Sequence, residues 1–148
     1  MNKRELGEAY FKEGYNCSQA VVLAFQEEMG IDKDTAVRIA SAFGGGMGRM
    51  REVCGAVSGM FMVLGALKGY ADAEDNGAKK ALYADVQALA ARFRERSGSI
   101  ICRELLGLPS GESDPTPDTR TASYYKKRPC ASLVGDACEF LEEYLKGN

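Results

Sequence analysis

The sequence predicts an all-α protein, a single-domain helical bundle of about six helices over residues 1–148 with one long loop at about 108–127. Three observations predict it. Apolar residues recur at three- and four-residue intervals through most of the chain, no segment shows the alternation of a half-buried strand, and capping residues or glycines flank the periodic runs.

A first helix runs from about Asn2 to Glu13 on Leu6, Tyr10 and Phe11, and Gly14 stops it. Asn16 caps a second, which buries Ala20, Val21, Leu23, Ala24 and Phe25 and ends at Gly30. Asp32 or Asp34 caps a third, carrying Ala36, Val37, Ile39, Ala40 and Phe43 into the stretch Gly44-Gly45-Gly46-Met47-Gly48. The fourth, from about Arg51 to Tyr70, holds the longest uncharged run, Val53 to Leu67. That run falls short of the roughly 20 apolar residues of a spanning helix. It therefore reads as a buried core helix. A fifth follows Asn76-Gly77 and closes at Ser97-Gly98, with Leu82, Val86, Leu89, Ala90 and Phe93 on one face. A short turn of helix holds Ile100 to Leu106. Leu108 to Lys127, with all but one of the prolines, reads as loop, of a length that is usually functional or mobile. The last helix follows Pro129 and carries Leu133, Val134, Ala137, Cys138, Leu141, Tyr144 and Leu145.

Composition removes several kinds of chemistry. The 148 residues include no histidine, which excludes an imidazole base, a histidine metal ligand or a Ser-His-Asp triad. A net charge of −2 lacks the basic excess of a nucleic-acid binder. The charged N-terminus resembles no secretory signal and no membrane contact is expected, so the reading is cytoplasmic. Five cysteines in such a compartment point to thiol chemistry or metal binding rather than to permanent disulfides.

Four of them fall at predicted helix starts. Cys17 follows Asn16, Cys54 follows the glycine stretch, Cys102 lies just beyond Ser99, and Cys130 follows Pro129. A helix N-terminus carries about half a positive charge and several unpaired N–H groups, both of which favour a thiolate. Such surroundings lower a thiol pKa from about 8.5 to roughly 3.5–7.5. A thiolate is both nucleophile and metal ligand. The plain alternative is four small buried hydrophobes. Cys138 shares the apolar stripe of its helix and reads as core. It lies about 12 Å from Cys130 along a helix, so the two neither bond nor share one ion. No Cys-x-x-Cys pair occurs, and any cluster must be assembled from separate helices.

Gly45, Gly46 and Gly48 with Arg49 form a candidate anion-binding stretch, to which Arg51 adds a second cation. No Gly-Lys-Ser/Thr follows and no G-x-G-x-x-G is present. A flexible helix-to-helix connection therefore accounts for it better than a nucleotide site. Within the fourth helix Gly55 and Gly59 are four apart, as are Gly65 and Gly69. Helix-interior glycine costs about 1 kcal/mol against alanine. Its repetition implies a close backbone approach, with a homodimer contact as one candidate. Met47, Met50, Met60 and Met62 read as core filler.

The segments Tyr15-Asn16-Cys17-Ser18-Gln19-Ala20-Val21, Cys54-Gly55-Ala56-Val57-Ser58-Gly59, Cys102-Arg103-Glu104-Leu105-Leu106-Gly107 and Cys130-Ala131-Ser132-Leu133-Val134 resemble, in that order, the C_GCAxxG_C_C family of redox-active proteins. Cys17, Cys102 and Cys130 match three family cysteines. At the fourth the chain has Cys54-Gly55 where the family's name has Gly-Cys. The resemblance implies a redox role for the cysteines.

Three functions compete at this stage. In the first, Cys54 and one of Cys17, Cys102 or Cys130 cycle between dithiol and disulfide with a small-molecule or protein partner. In the second, Cys17, Cys54, Cys102 and Cys130 bind zinc or an iron–sulfur cluster. In the third, the chain is a helical dimer module with inert cysteines and no cofactor.

Overall fold

The computed structural model describes residues 1–109 and 114–147. Among them nine helices form, six of them seven residues or longer, and no strand. They are α1 (Lys3–Lys12), α2 (Cys17–Ala24), α3 (Gln26–Met29), α4 (Lys33–Ser41), α5 (Gly55–Lys68), α6 (Asn76–Ser97), α7 (Cys102–Leu106), α8 (Ala122–Lys127) and α9 (Cys130–Leu145).

The caps lie where the short polar residues stand. Asn2 with Glu5, and Asn16 with Gln19, form reciprocal capping boxes that satisfy donors at the starts of α1 and α2. Asp32, Asp75 and Thr121 accept from Thr35, Ala78 and Tyr124 at the starts of α4, α6 and α8. Gly30 and Gly98 end α3 and α6 in the left-handed conformation.

Helix α5 is central, packed by α2, α6 and α9, while α1 lies along α9 and α2. Phe11, Phe25, Met60, Leu64, Phe93, Phe140 and Leu141 are the large side chains of the hydrophobic cluster between them. Burying each contributes roughly 1.5–3 kcal/mol. Gly59 supplies the close approach that its spacing implied. A Cβ there would stand 2.9 Å from the Ser18 carbonyl oxygen and 3.0 Å from Val21 Cβ. The partner is α2 of the same chain, so no subunit contact is needed to explain this glycine. Asp136 on α9, nearly buried, pairs with Arg4 of α1 and Arg96 of α6 and ties three helices together.

Three expectations are corrected. The second helix breaks at Phe25, which leaves helical geometry (φ −116°, ψ 13°) between α2 and α3. The fourth begins at Gly55 rather than near Arg51, because the backbone of 45–49 and of Arg51 is left-handed. The predicted loop at 108–127 contains α8, and its residues 110–113 lie outside the described residues. Of the methionines expected as filler, Met60 is core and Met50 is exposed.

Candidate functional site

The glycine stretch organises the site. Residues 45–49 all have positive φ, between 62° and 73°, and Arg51 follows at 63°. This is a left-handed turn. Glycine takes that conformation freely, whereas Met47, Arg49 and Arg51 each cost about 1–2 kcal/mol. Hydrogen bonds support the turn, from Met47 N to Phe43 O (3.1 Å), Arg51 N to Gly45 O (3.3 Å) and Glu52 N to Gly46 O (3.0 Å). Gly46 is required twice over. Its φ is 73°, and a Cβ there would meet Cys102 Cβ at 2.6 Å and Arg51 Cα at 2.9 Å. The stretch expected as a flexible connection is thus a hydrogen-bonded turn packed on the start of α7.

Each of the four cysteines stands at a helix start. Cys17, Cys102 and Cys130 are the first residues of α2, α7 and α9, and Cys54 is the residue before α5. Two of these starts are joined by an antiparallel bridge between Val53 and Ile101. It is flanked by bonds from Cys54 N to Ile100 O (2.8 Å) and Cys102 N to Glu52 O (2.6 Å). Ser99, the candidate cap, accepts from Ile101 N at 2.9 Å and donates to Glu104 at 2.6 Å. A third start is pressed against α5, since a Cβ on Gly55 would meet Cys17 Cβ at 3.1 Å.

All four thiols line one cavity of about 280 Å³, together with Gly45, Gly46, Gly48 and Arg49. Arg51, Arg120, Arg128, Asp118 and Tyr124 complete its polar wall, and Leu105, Leu106 and Leu133 its apolar one. Cys17 is half-buried and the other three are buried. Arg120, Tyr124 and Arg128 were not legible as site residues. Their signal was the helix that Thr121 caps, hidden in a segment rich in proline. Cys138 lies outside the cavity, wholly buried beside Gly7, as its apolar stripe predicted.

Among the four thiols, Cys17 and Cys130 influence each other most. The neighbouring Cys17 thiol lowers the Cys130 pKa to about 7, against the cost of burial and helped by the charges of Arg128, Arg120 and Arg51. The same interaction, with burial and the other thiols, pushes Cys17 well up. Burial likewise pushes Cys54 up to about 12, although the Ala56 and Val57 N–H groups hydrogen-bond its sulfur. Helix-start placement alone therefore does not make a thiolate here. The guanidiniums and the partner thiol select Cys130.

Such an arrangement sets one thiol prone to ionise among other thiols and guanidiniums at a single cavity. Among the described residues no three cysteine or acidic side chains are grouped so as to hold a metal ion. The donor set as arranged does not fit a metal site built from four thiolates.

A family described as "Putative redox-active protein (C_GCAxxG_C_C)" matches residues 15–144, from just before the cap of α2 to the last turn of α9. The chain belongs to this family. No curated protein and no solved structure matches it. The C_GCAxxG_C_C name orders Gly before Cys, whereas here Cys54 precedes Gly55. A Cβ at position 55 would stand 3.0 Å from the Phe43 carbonyl oxygen and 3.1 Å from Cys17 Cβ, a tight fit that suits glycine, and both residues line the cavity. No helix among the described residues is long and apolar enough to cross a membrane.

Proposed function

We propose that this redox-active protein is a cytoplasmic thiol–disulfide exchange protein whose reacting pair is Cys130 and Cys17. Cys130 is the attacking thiolate and Cys17 the resolving thiol. The observation that supports this reading is that Cys17 and Cys130, each the first residue of a helix, line one cavity with Arg51, Arg120 and Arg128, whose charges act on Cys130. In the first step the Cys130 thiolate attacks one sulfur of a disulfide and expels the other as a thiolate, leaving a mixed disulfide. Cys17, losing its proton to the leaving thiolate, then attacks the Cys130 sulfur and expels the second sulfur as a thiolate, which takes up from solvent the proton that Cys130 gave up on ionising. Two electrons leave the protein dithiol and the Cys17–Cys130 disulfide remains. Cys54, with its pKa near 12, stays protonated at neutral pH and makes no first attack.

Trapping tests the assignment. With Cys17→Ser, a small neutral disulfide should leave a stable adduct on Cys130, located by peptide mass mapping. With Cys130→Ser, no adduct should accumulate at Cys17. Adducts chiefly on Cys54 or Cys102 would reassign the attacking thiol.

A further inference from the structure

We propose that the cavity binds a small disulfide bearing carboxylate groups, and that this is the molecule the Cys17–Cys130 pair reduces. The inference rests on the thiol-exchange reading and adds the class of substrate. Charge carries it. Among the described residues four arginines line the cavity, Arg49, Arg51, Arg120 and Arg128, against one acidic residue, Asp118. Asp118 is already engaged by Arg49 at 3.3 Å and Arg128 at 2.8 Å. Arg120 donates to the Phe11 and Tyr15 carbonyl oxygens at 3.0 and 3.1 Å and has no acidic partner among the described residues.

Arg51 decides the matter. It is 8% exposed, and its hydrogen bond among the described residues runs to Cys102 Sγ at 3.6 Å. No carboxylate there answers it, and the charge it acts on is that of the Cys130 thiol, which is only partly ionised at neutral pH. A buried charge that is incompletely paired costs up to several kcal/mol. Its left-handed backbone (φ 63°) adds about 1–2 kcal/mol more. Both costs fall at the wall of a thiol-lined cavity, where an incoming anion offsets them. Planar guanidiniums match a carboxylate in paired hydrogen bonds.

Access and size complete the argument. Cys54, Cys102 and Cys130 are only 4, 7 and 8% exposed, so a reacting sulfur must enter the cavity. About 280 Å³ admits a small molecule and not the disulfide of a folded protein. Leu105, Leu106 and Leu133 offer an apolar wall to its carbon body. One R–S–S–R, the Cys130 thiolate, the Cys17 thiol and one solvent proton give the Cys17–Cys130 disulfide and two R–SH, one released sulfur taking the Cys17 proton and the other the solvent proton.

The experiment compares three disulfides of similar length as oxidants of the reduced protein. They are dithiodiglycolate (dianion), bis(2-hydroxyethyl) disulfide (neutral) and cystamine (dication). Each rate is divided by that of free mercaptoethanol in the same buffer, which removes intrinsic reactivity. The expected order is dianion, neutral, dication, with the dianion at least about tenfold ahead of the neutral disulfide. Adipate, which copies the dianion without its sulfurs, should slow the dianion by competition. Arg51→Gln should bring the dianion down to the rate of the neutral disulfide; if that variant does not fold, the wild-type comparison decides alone. Equal normalised rates, or no competition by adipate, would overturn the inference while the exchange reading stands. Failure of all three oxidants to form the Cys17–Cys130 disulfide would overturn both.

Discussion

Cys17 and Cys130 open two helices that lie near opposite ends of the chain, and both line the wall of one cavity. Their surroundings make the two sulfurs unequal. Arg51, Arg120 and Arg128 act on Cys130 and hold its charge, while Cys17 keeps the proton. In the proposed exchange this inequality sets the direction, the thiolate attacking and its neighbour resolving.

The first consequence concerns pH. With a pKa of about 7, Cys130 is roughly half thiolate at neutrality, whereas an unperturbed thiol is only a few per cent ionised. Alkylation by a small reagent such as iodoacetamide should therefore label Cys130 first, its rate rising with a midpoint near pH 7. Cys17→Ala removes the largest cause of the lowered pKa, so the midpoint should move upward. A profile for Cys130 centred on the ordinary thiol range in the unmodified protein would contradict the inequality.

A second consequence separates packing from chemistry. Cys138 is wholly buried between α1 and α9, and burial pushes its pKa up to about 12. Cys138→Ser places a hydroxyl in an apolar site and should cost about 1–3 kcal/mol of stability. Thiol exchange should be unaffected. The pH dependence has a definite sign. A thiol whose folded pKa is raised loses its stabilising contribution as pH climbs from the unfolded value, about 8.5, toward the folded one. Cys54 and Cys138 both act this way, so alkaline unfolding should steepen above about pH 8.5, and less so in Cys138→Ala. Denaturant midpoints measured from pH 7 to 10 check it.

The glycine turn gives a third. Gly46→Ala forces a Cβ to within 3 Å of Cys102 Cβ and Arg51 Cα at a φ of 73°. Left-handed strain of about 1–2 kcal/mol and overpacking of about 1–3 kcal/mol add to a loss of roughly 2–5 kcal/mol. Gly45→Ala meets the flexible Arg49 side chain at 2.7 Å instead, so it should cost less. Chemical denaturation of the two variants ranks them, and equal losses would argue against the turn as described.

Much of the scaffold was legible because its signals are local. Asn16, Asp32 and the glycines at 30 and 98 mark helix ends through their own side chains or their freedom at positive φ, and the structure ends helices there. The four cysteines were legible as helix-start residues for the same reason. What joins them was not. That Cys17 and Cys130 share a cavity wall depends on how α2 and α9 pack, which no local pattern encodes. The roles of Arg120 and Arg128 depend on where the segment before α9 folds back, and its prolines masked α8. The left-handed run through Met47, Arg49 and Arg51 was invisible for a physical reason, since L-residues there oppose their own preference and only the surrounding contacts hold them.

One measurement bears most directly on the central claim. The protein, equilibrated in buffers of stepped thiol–disulfide potential under anaerobic conditions and then quenched, is mapped by peptide mass spectrometry. The account expects a single two-electron transition within the cytoplasmic range, tracked by loss of free Cys17 and Cys130 together and by the appearance of one peptide pair joined through them. Both thiols remaining free at the oxidising end of that range, or a crosslink that omits Cys130, would contradict it.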